Sequence, residues 1–266
     1  MPAPPLSLIV STLRSAGCVF AEDEAELLTA AATTPAELTA MVEQRAAGLP
    51  LEHVLGWAQF CDLRVAVDPQ VFVPRRRTEF LAHQAIELAR AAATPQRPAV
   101  VVDLCCGSGA LGAAVAAALP RLELHAADIE PAAVRCARRN LAHLGGHVHE
   151  GDLFTPLPSH LMGRVDVLIA NVPYVPSQDV ELLPSEARVH EPRVALDGGA
   201  DGLDVMRRVT AAAPAWLAPG GSLLVETSER QAPHAVEAFT GNGLHALVAT
   251  SDELYATVVI GSLPPA

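Results

Sequence analysis

The sequence VVVDLCCGSG, from Val100 to Gly109, joins an apolar run directly to a glycine-rich turn. The apolar run is short and rich in valine, which is typical of a strand buried on both faces of a parallel sheet. A helical pattern follows at residues 109–119. Glycines in such a turn let the backbone approach a ligand closely, and the helix N-terminus offers unpaired amide donors. We therefore expect a strand, a tight turn and a helix that together bind a ligand.

Strand and helix patterns alternate on the C-terminal side of this turn. Strands are predicted at residues 100–104, 123–127, 147–150, 165–170, 222–226, 244–249 and 256–260. Helices are predicted at residues 109–119, 131–144, 201–217 and 231–239. This alternation predicts an α/β fold with a doubly wound, mostly parallel sheet. The last two strands follow each other without a long helix, so we expect one antiparallel edge.

The N-terminal part of the chain has a different pattern. Residues 1–58 show helical spacing with short breaks. Residues 60–73 are rich in β-formers and are interrupted at Asp68-Pro69, which predicts a β-hairpin with its turn there. A further helix is predicted at 78–93. We therefore expect a small helical domain with a hairpin connector at 1–76 and the sheet domain at 77–266.

Composition narrows the class of protein. The 266 residues are 50% hydrophobic and 18% charged, which excludes a disordered chain. The net charge of −12 argues against nucleic acid as the main ligand, because phosphate neutralisation needs a basic face. Five cysteines without a C-x-x-C pair favour free thiols, and no apolar run approaches the ~20 residues of a membrane span. We expect a cytoplasmic protein that binds neither membrane nor nucleic acid.

Acidic residues close the next two predicted strands. Asp128 follows Gly107 by 21 residues, a spacing that suits an acid accepting the hydroxyl protons of a ribose. Asp152-Leu153 follows the third strand, where the carboxylate suits an exocyclic amine and the leucine suits the face of an adenine ring. Ordinary strand-end and turn aspartates are the alternative for both positions. These motifs alone do not distinguish NAD from another adenosine cofactor.

Asn171-Val172-Pro173-Tyr174 directly follows the fourth strand. An asparagine side-chain oxygen and an adjacent backbone carbonyl can together accept both hydrogens of a planar NH2 group, and the Tyr174 ring can cover that group. Pro173 restricts Val172 to an extended conformation and so helps to direct its carbonyl. Asn and Pro are also common in plain turns, but the glycine-rich turn and strand-end acid upstream favour a catalytic segment.

Taken together, these motifs resemble class I S-adenosylmethionine-dependent methyltransferases, and more narrowly the HemK-like family of release-factor glutamine N5-methyltransferases. The resemblance covers residues 25–260. It also includes three further stretches, at 48–69, 73–79 and 191–203, the last reading EPRVALDGGADGL. The Asn171–Tyr174 segment resembles the Asn-Pro-Pro-Tyr signature, which adenine N6-methyltransferases share. The stretches at 48–69 and 191–203 favour the HemK-like family over the adenine N6-methyltransferases.

The resemblance implies a seven-stranded methyltransferase domain at 77–266, preceded at 1–76 by a helical domain that docks a protein substrate. It implies the cofactor S-adenosyl-L-methionine and, as methyl acceptor, a glutamine in the Gly-Gly-Gln loop of a peptide-chain release factor, hence a role in translation termination. The cofactor-binding residues are expected to be Asp103, Cys105, Cys106, Gly107, Ser108, Gly109, Asp128, Ile129, Asp152, Leu153 and Asn171. The catalytic residues that hold the glutamine amide are expected to be Asn171, Val172, Pro173 and Tyr174.

The sequence departs from the family pattern in four places. Cys105 replaces the first glycine of the cofactor turn, Arg76-Arg77 replaces a Pro-Glu pair, and Val172 replaces a proline. A family glycine near the fifth strand is replaced within residues 226–231. Val172 keeps the backbone carbonyl on which the chemistry depends. Arg75, Arg76 and Arg77 are most simply explained as a solvated helix start with ion pairs.

Three other functions compete with this hypothesis. An adenine N6 nucleic-acid methyltransferase is disfavoured by the net charge and by the 191–203 stretch. An NAD-dependent oxidoreductase would use the glycines of 107–112 but gives no reason for Asn171–Tyr174. A non-catalytic cofactor-binding module is conceivable because of Val172 and Cys105. No metal site is expected, because His143, His147 and His149 lack a recognisable ligand spacing.

Overall fold

The computed structural model describes residues 3–265 and contains one large sheet beside a two-stranded hairpin. The strands are β1 (Trp57–Phe60), β2 (Leu63–Ala66), β3 (Ala99–Leu104), β4 (Leu122–Asp128), β5 (His147–Glu150), β6 (Val165–Ala170), β7 (Leu217–Thr227), β8 (His245–Ser251) and β9 (Ala256–Ser262). The seven-stranded sheet has the order β5-β4-β3-β6-β7-β9-β8. Strand β9 runs antiparallel to both β7 and β8, and the other paired strands of the described sheet are parallel. The predicted mostly parallel sheet with an antiparallel edge is confirmed.

The α-helices of the described residues either pack on this sheet or belong to the N-terminal part and the loops. They are α1 (Leu6–Ser15), α2 (Ala21–Ala31), α3 (Pro35–Ala46), α4 (Leu51–Leu55), α5 (Glu79–Ala92), α6 (Ala110–Ala118), α7 (Pro131–Leu141), α8 (Ser185–His190), α9 (Asp204–Trp216) and α10 (Ala232–Gly241). Helices α5, α6 and α7 pack on one face, and α9 and α10 pack on the other. Alternate residues of β3 point to opposite faces of the sheet. Val101 packs in the core beneath α5, α6 and α7, and Val102 packs in the core beneath α9 and α10. A strand buried on both faces is apolar throughout, which explains the opening valine run.

The first three helices have a hydrophobic core of their own, built around Leu13, Leu28 and Met41. Helix α3 starts as the sequence predicts, because the Thr34 side chain accepts a hydrogen bond from the Glu37 amide and a proline occupies the first turn. A separate core next to the sheet's own layers is consistent with an independent N-terminal unit.

The hairpin turn lies at Cys61-Asp62, so the prediction of a turn at Asp68-Pro69 is wrong. Cys61 and Asp62 have φ values of 46° and 61°. Two successive left-handed residues form the tight turn that matches the twist of paired strands, and aspartate tolerates this conformation well. The apolar residues after β2 do not pair as a strand. Val67 and Val71 pack instead against Cys136 of α7, which attaches the connector to the sheet domain.

Residues 171–199, which the sequence predicts as a long loop, contain the short helix α8 and several single turns. This segment lies after β6 and folds back over the carboxyl ends of the sheet strands, where Val175 bridges to Asp197. Within the described residues, no helix combines the length and apolar character that crossing a membrane requires.

Candidate active site

A cavity of about 570 Å³ lies at the carboxyl ends of β3, β4 and β6. Ligands of open α/β sheets bind at this edge, because the loops that leave parallel strands converge there. Twelve of the predicted site residues line it: Cys105, Cys106, Gly107, Ser108, Asp128, Ile129, Asp152, Leu153, Asn171, Val172, Pro173 and Tyr174. Asp103 and Gly109 do not line it. The fold therefore gathers site residues that are up to 69 positions apart in the chain.

The glycine-rich turn between β3 and α6 forms one wall. Cys105 and Gly107 both have φ values of 54°, and a Cβ added to Gly107 would meet no atom within 4 Å. The left-handed conformation costs a non-glycine residue such as Cys105 about 1–2 kcal/mol, which the surrounding fold must offset. Open space at Gly107 leaves room for a ligand against the backbone. Burial raises the pKa of the Cys105 and Cys106 thiols, which keeps them protonated and unsuited to nucleophilic attack.

Asp103 and Gly109 shape this turn from behind. The Asp103 side chain is fully buried, and its Oδ2 accepts a hydrogen bond of 2.9 Å from the Gly112 amide. Its Oδ1 has no partner within the described chain. Burial raises the pKa of Asp103 to about 7. A Cβ added to Gly109 would lie 3.2 Å from the Cβ of Ala137, so glycine there permits close packing of α6 on α7.

Asp128 ends β4 beside the turn. Its Oδ2 accepts a hydrogen bond of 2.8 Å from the Gly107 amide, and its Oδ1 accepts one of 2.9 Å from the Glu130 amide. A carboxylate offers about four acceptor positions, so capacity remains for the hydroxyls of a ligand. Burial raises the pKa of Asp128 even though these amides favour its ionised form.

Asp152 and Leu153 lie next along the wall. One Asp152 oxygen accepts a hydrogen bond of 2.5 Å from Arg208, which fixes the position of the carboxylate. Leu153 has a φ of 49°, a strained conformation that its neighbours maintain. The residue pair is thereby held at the cavity with an acceptor and an apolar surface side by side.

Asn171 to Tyr174 follow β6, the neighbour of β3, and form a second part of the cavity wall. Val172 is buried, and within residues 3–265 its carbonyl oxygen accepts no backbone hydrogen bond. The Tyr174 hydroxyl donates to Glu226 across 3.4 Å and accepts a hydrogen bond from Arg77. Burial and the Glu226 carboxylate raise the pKa of Tyr174 to about 12, so the phenol stays neutral.

A glycine loop at residues 197–202 holds the backbone of this segment. The Gly198 amide donates a hydrogen bond of 2.8 Å to the Val175 carbonyl, and a Cβ on Gly198 would lie 2.6 Å from the Pro173 carbonyl oxygen. The Gln231 side-chain amide donates a hydrogen bond of 3.0 Å to the Tyr174 carbonyl. Sequence reasoning missed Gln231, whose only signal is its place at the end of the loop after β7.

Two of the three arginines after the hairpin, Arg75 and Arg77, form ion pairs within the described residues, and their carboxylate partners are buried. Arg75 donates to both carboxylate oxygens of Glu191 at 2.6 Å, and the Val73 amide donates to the same group at 3.1 Å. Arg77 donates to Glu226 at 3.1 Å. Burial raises the pKa of Glu191 although Arg75 opposes the change. These pairs join the connector to the loops that carry the cavity.

The known proteins that this chain resembles are named as methyltransferases. The family described as the methyltransferase small domain matches residues 88–251. The release factor glutamine methyltransferase of Geobacter sulfurreducens is 40% identical over 79% of this chain and 72% of its own. That of Xylella fastidiosa is 37% identical over 89% of this chain and 84% of its own. A methyltransferase structure from Pyrococcus furiosus shares the fold, with 16% identity, a TM-score of 0.55 and coverage of 76% and 89% of the two chains.

Proposed function

The chain belongs to the release factor glutamine methyltransferase family, and we propose that it transfers a methyl group from S-adenosyl-L-methionine to the side-chain nitrogen of a glutamine in the Gly-Gly-Gln loop of a peptide-chain release factor. The observation that carries this proposal is one cavity with two kinds of wall. One wall is the turn at 105–109 with Asp128, and the other is the segment from Asn171 to Tyr174. Methyl donor and amide acceptor can therefore meet in the same cavity.

The residues of the first wall suit S-adenosyl-L-methionine, which when bound supplies a methyl group activated by its sulfonium charge. Open space at Gly107 admits a ligand against the turn, and Asp128 has acceptor capacity for ribose hydroxyls. Asp152 and Leu153 offer an acceptor for an amine and an apolar surface for a ring. In this proposal Asp103 and Gly109 act through the shape of the turn, while the remaining residues, including Ile129 and Asn171, contact the cofactor.

The second wall suits a planar primary amide. The Asn171 Oδ1 and the Val172 carbonyl oxygen are two acceptors on consecutive residues, and each can receive one hydrogen of the NH2 group. Pro173 keeps Val172 extended and the glycine loop packs against the Pro173 carbonyl, so the backbone acceptor is held in place before substrate arrives. Tyr174, held by Arg77 and Glu226, covers the face of the amide.

Fixed acceptors can accelerate methyl transfer without a general base in the transfer step. The nitrogen–methyl bond would form as the sulfur–methyl bond breaks and the thioether leaves, and the methylated nitrogen, then strongly acidic, would release its surplus proton to water. An amide nitrogen is a weak nucleophile because its lone pair is delocalised into the carbonyl. Two acceptors that hold both N–H bonds draw electron density toward nitrogen and aim it along the line of displacement. Positioning and preorganised dipoles then lower the barrier, a contribution that reaches ~7–11 kcal/mol for well-oriented reactants.

The N-terminal part is proposed to dock the release factor. Pro50 and Glu52 of the α4 region, together with Gln70 and Phe72 of the connector, line the cavity mouth beside the sheet-domain loops. A protein substrate that inserts a glutamine loop must contact this rim. We therefore keep residues 1–76 as the docking unit and 77–266 as the catalytic unit, in an enzyme that works where translation occurs, in the cytoplasm.

Mass spectrometry of a release factor incubated with the protein and S-adenosyl-L-methionine tests the proposal. A gain of one methyl group on the Gly-Gly-Gln glutamine is expected, and none on a release factor with that glutamine changed to glutamate. Asn171→Ala should abolish transfer while calorimetry still detects cofactor binding, because only one cofactor contact is lost. Asn242→Ala, outside the cavity, is the matched control. Transfer to DNA instead, or full activity of Asn171→Ala, would refute the mechanism.

A further inference from the structure

Five side chains gather on the sheet away from the cavity: Glu123, His125, His147, His149 and His160. We call them the histidine cluster. The first two lie on β4, the next two on the edge strand β5, and His160 on the single turn Ser159–Leu161. None of the five lines the cavity. Glu123 precedes Asp128 by five residues on one strand, which places the cluster roughly 16 Å from the cofactor wall.

The pleat of β4 and a buried leucine bring the cluster together. Leu124 packs into the core cluster formed with α6 and α7, so Glu123 and His125 face the opposite side of the sheet. Leu161 is fully buried in the core cluster of that side. Its burial holds the preceding His160 against the same face. His125 itself is 4% exposed, an unusual position for a polar ring that has no role in the active site.

Three groups of the cluster converge on one point. The Glu123 Oε1 atom lies 3.5 Å from His125 Nε2 and 3.8 Å from His160 Nε2. All three ligand atoms lie within 4.8 Å of one another. Ligands held about 2.0–2.1 Å from a tetrahedral zinc ion lie roughly 3.4 Å apart, so small side-chain movements close this set around a metal. We propose that Glu123, His125 and His160 bind a divalent zinc ion.

Two of the proposed ligands also have hydrogen-bond partners of the kind that orient the ligands of a metal site. His125 Nδ1 lies 3.0 Å from His149 Nε2, so a proton on Nδ1 can be donated there while Nε2 is left free for the metal. Arg164 contacts the Glu123 Oε2 atom at 3.4 Å, which leaves Oε1 directed at the two imidazoles. Such hydrogen bonds orient a metal ligand and fix the tautomer of a histidine. Their presence favours a metal site over a chance cluster of surface side chains.

The donor set favours zinc over a hard cation. Two imidazole nitrogens and one carboxylate oxygen are a common zinc set, whereas magnesium and calcium prefer oxygen ligands. The His160 side chain is 59% exposed, so water can complete the coordination. His160 shares the segment 151–164 with the cavity residues Asp152 and Leu153. A bound zinc ion would therefore fasten that segment to β4 and stabilise the fold.

Calorimetric titration of zinc chloride into the full-length, tag-free, chelator-treated protein tests this site. We expect one zinc ion per chain. Loss of a residue that only hydrogen-bonds to a metal ligand typically weakens metal binding about 10–100-fold. His149→Ala should therefore weaken zinc binding by about 10-fold, and His160→Ala, which removes a ligand, should weaken it by about 100-fold or more. Zinc at about one hundred times its Kd should raise the unfolding midpoint of the wild type by roughly 5–10 °C.

His143→Ala is the matched control, since His143 is exposed on the neighbouring turn and lies outside the cluster. Its zinc affinity should equal that of the wild type. Cobalt(II) substitution should give a spectrum without thiolate-to-cobalt charge transfer, which separates this site from binding at a cysteine. Absence of stoichiometric zinc binding, an unchanged Kd in His160→Ala, or a thiolate band would each overturn the proposal. None of these outcomes depends on methyl transfer.

Discussion

Replacing Asp103 with asparagine should change how the stability of this protein depends on pH. Asp103 is fully buried, and burial raises its pKa from 3.8 to about 7. In the unfolded chain the carboxyl ionises near its ordinary pKa. Between these two values the folded state therefore holds a proton that the unfolded state has lost. The free energy of unfolding must fall as pH rises through this window.

The size of the effect follows from the two pKa values. A change from 3.8 to about 7 corresponds to ~4 kcal/mol, at about 1.4 kcal/mol for each pKa unit. The wild type loses this amount from about pH 4 to about pH 7, and nothing more above that range. Asp103→Asn cannot ionise, and its side-chain oxygen still accepts from the Gly112 amide. Its buried NH2 group adds a constant cost of about 1–3 kcal/mol that does not vary with pH.

Urea denaturation followed by circular dichroism at several pH values measures the effect. The free energy of unfolding of Asp103→Asn minus that of the wild type should rise by ~4 kcal/mol from about pH 4 to about pH 8. Carboxylates that do not interact with Asp103 contribute equally to both proteins and cancel in the difference. The charge of Asp128 helps to raise the pKa of Asp103, so that interaction is part of the measured effect. Asp252→Asn, at an exposed turn, is the control and should give a flat difference. A flat difference for Asp103→Asn as well would refute the reasoning, because Asp103 would then ionise like an exposed carboxyl.

Three substitutions test other parts of the structure. Arg45→Met leaves the buried Glu24 carboxylate without the guanidinium that contacts it at 2.6 Å, so unfolding by urea should require ~3–5 kcal/mol less free energy. Gly198→Ala places a Cβ 2.6 Å from two backbone carbonyl oxygens, and the resulting shift should lower kcat about 100-fold while calorimetry finds cofactor affinity unchanged. Arg77→Met removes a charged donor from the Tyr174 hydroxyl and should lower kcat/KM for the release factor ~10-fold, with partial recovery in Arg77→Lys.

Each of these predictions has a control and a contrary result. Arg90→Met, on an exposed part of α5, should leave stability unchanged, and an equal loss there would show that Arg45 has no special role. Gly241→Ala adds a Cβ where no atom lies within 4 Å, so its kcat should match the wild type. Wild-type kcat in Gly198→Ala would contradict the close-packing explanation. Unchanged kinetics in Arg77→Met would show that Tyr174 needs no support from this side chain.

From residue 79 onward, and apart from the short helix α8, the sequence alone was sufficient for the order of strands and helices along the chain and for the edge of the sheet where the cavity lies. Residue periodicity and glycine-rich turns depend only on residues that are neighbours in the sequence, so they can be recognised without a structure. Motifs such as Gly107, Asp128 and Asn171 each follow a strand. Because the carboxyl ends of parallel strands meet at one edge, their convergence could be predicted from chain order.

Only the tertiary structure decided which side chains face the cavity and which partners they have. Asp103 lies within β3 and its carboxylate accepts from the Gly112 amide, whereas Cys105 follows that strand and lines the cavity. Two residues apart, they would share a face if the strand continued, so the left-handed conformation of Cys105 separates them, and the motif does not specify that conformation. Gln231 reaches the Tyr174 carbonyl across 57 residues of sequence, and His160 reaches Glu123 across the sheet. Local patterns carry no information about such contacts, because they form only when distant segments pack together and exclude water.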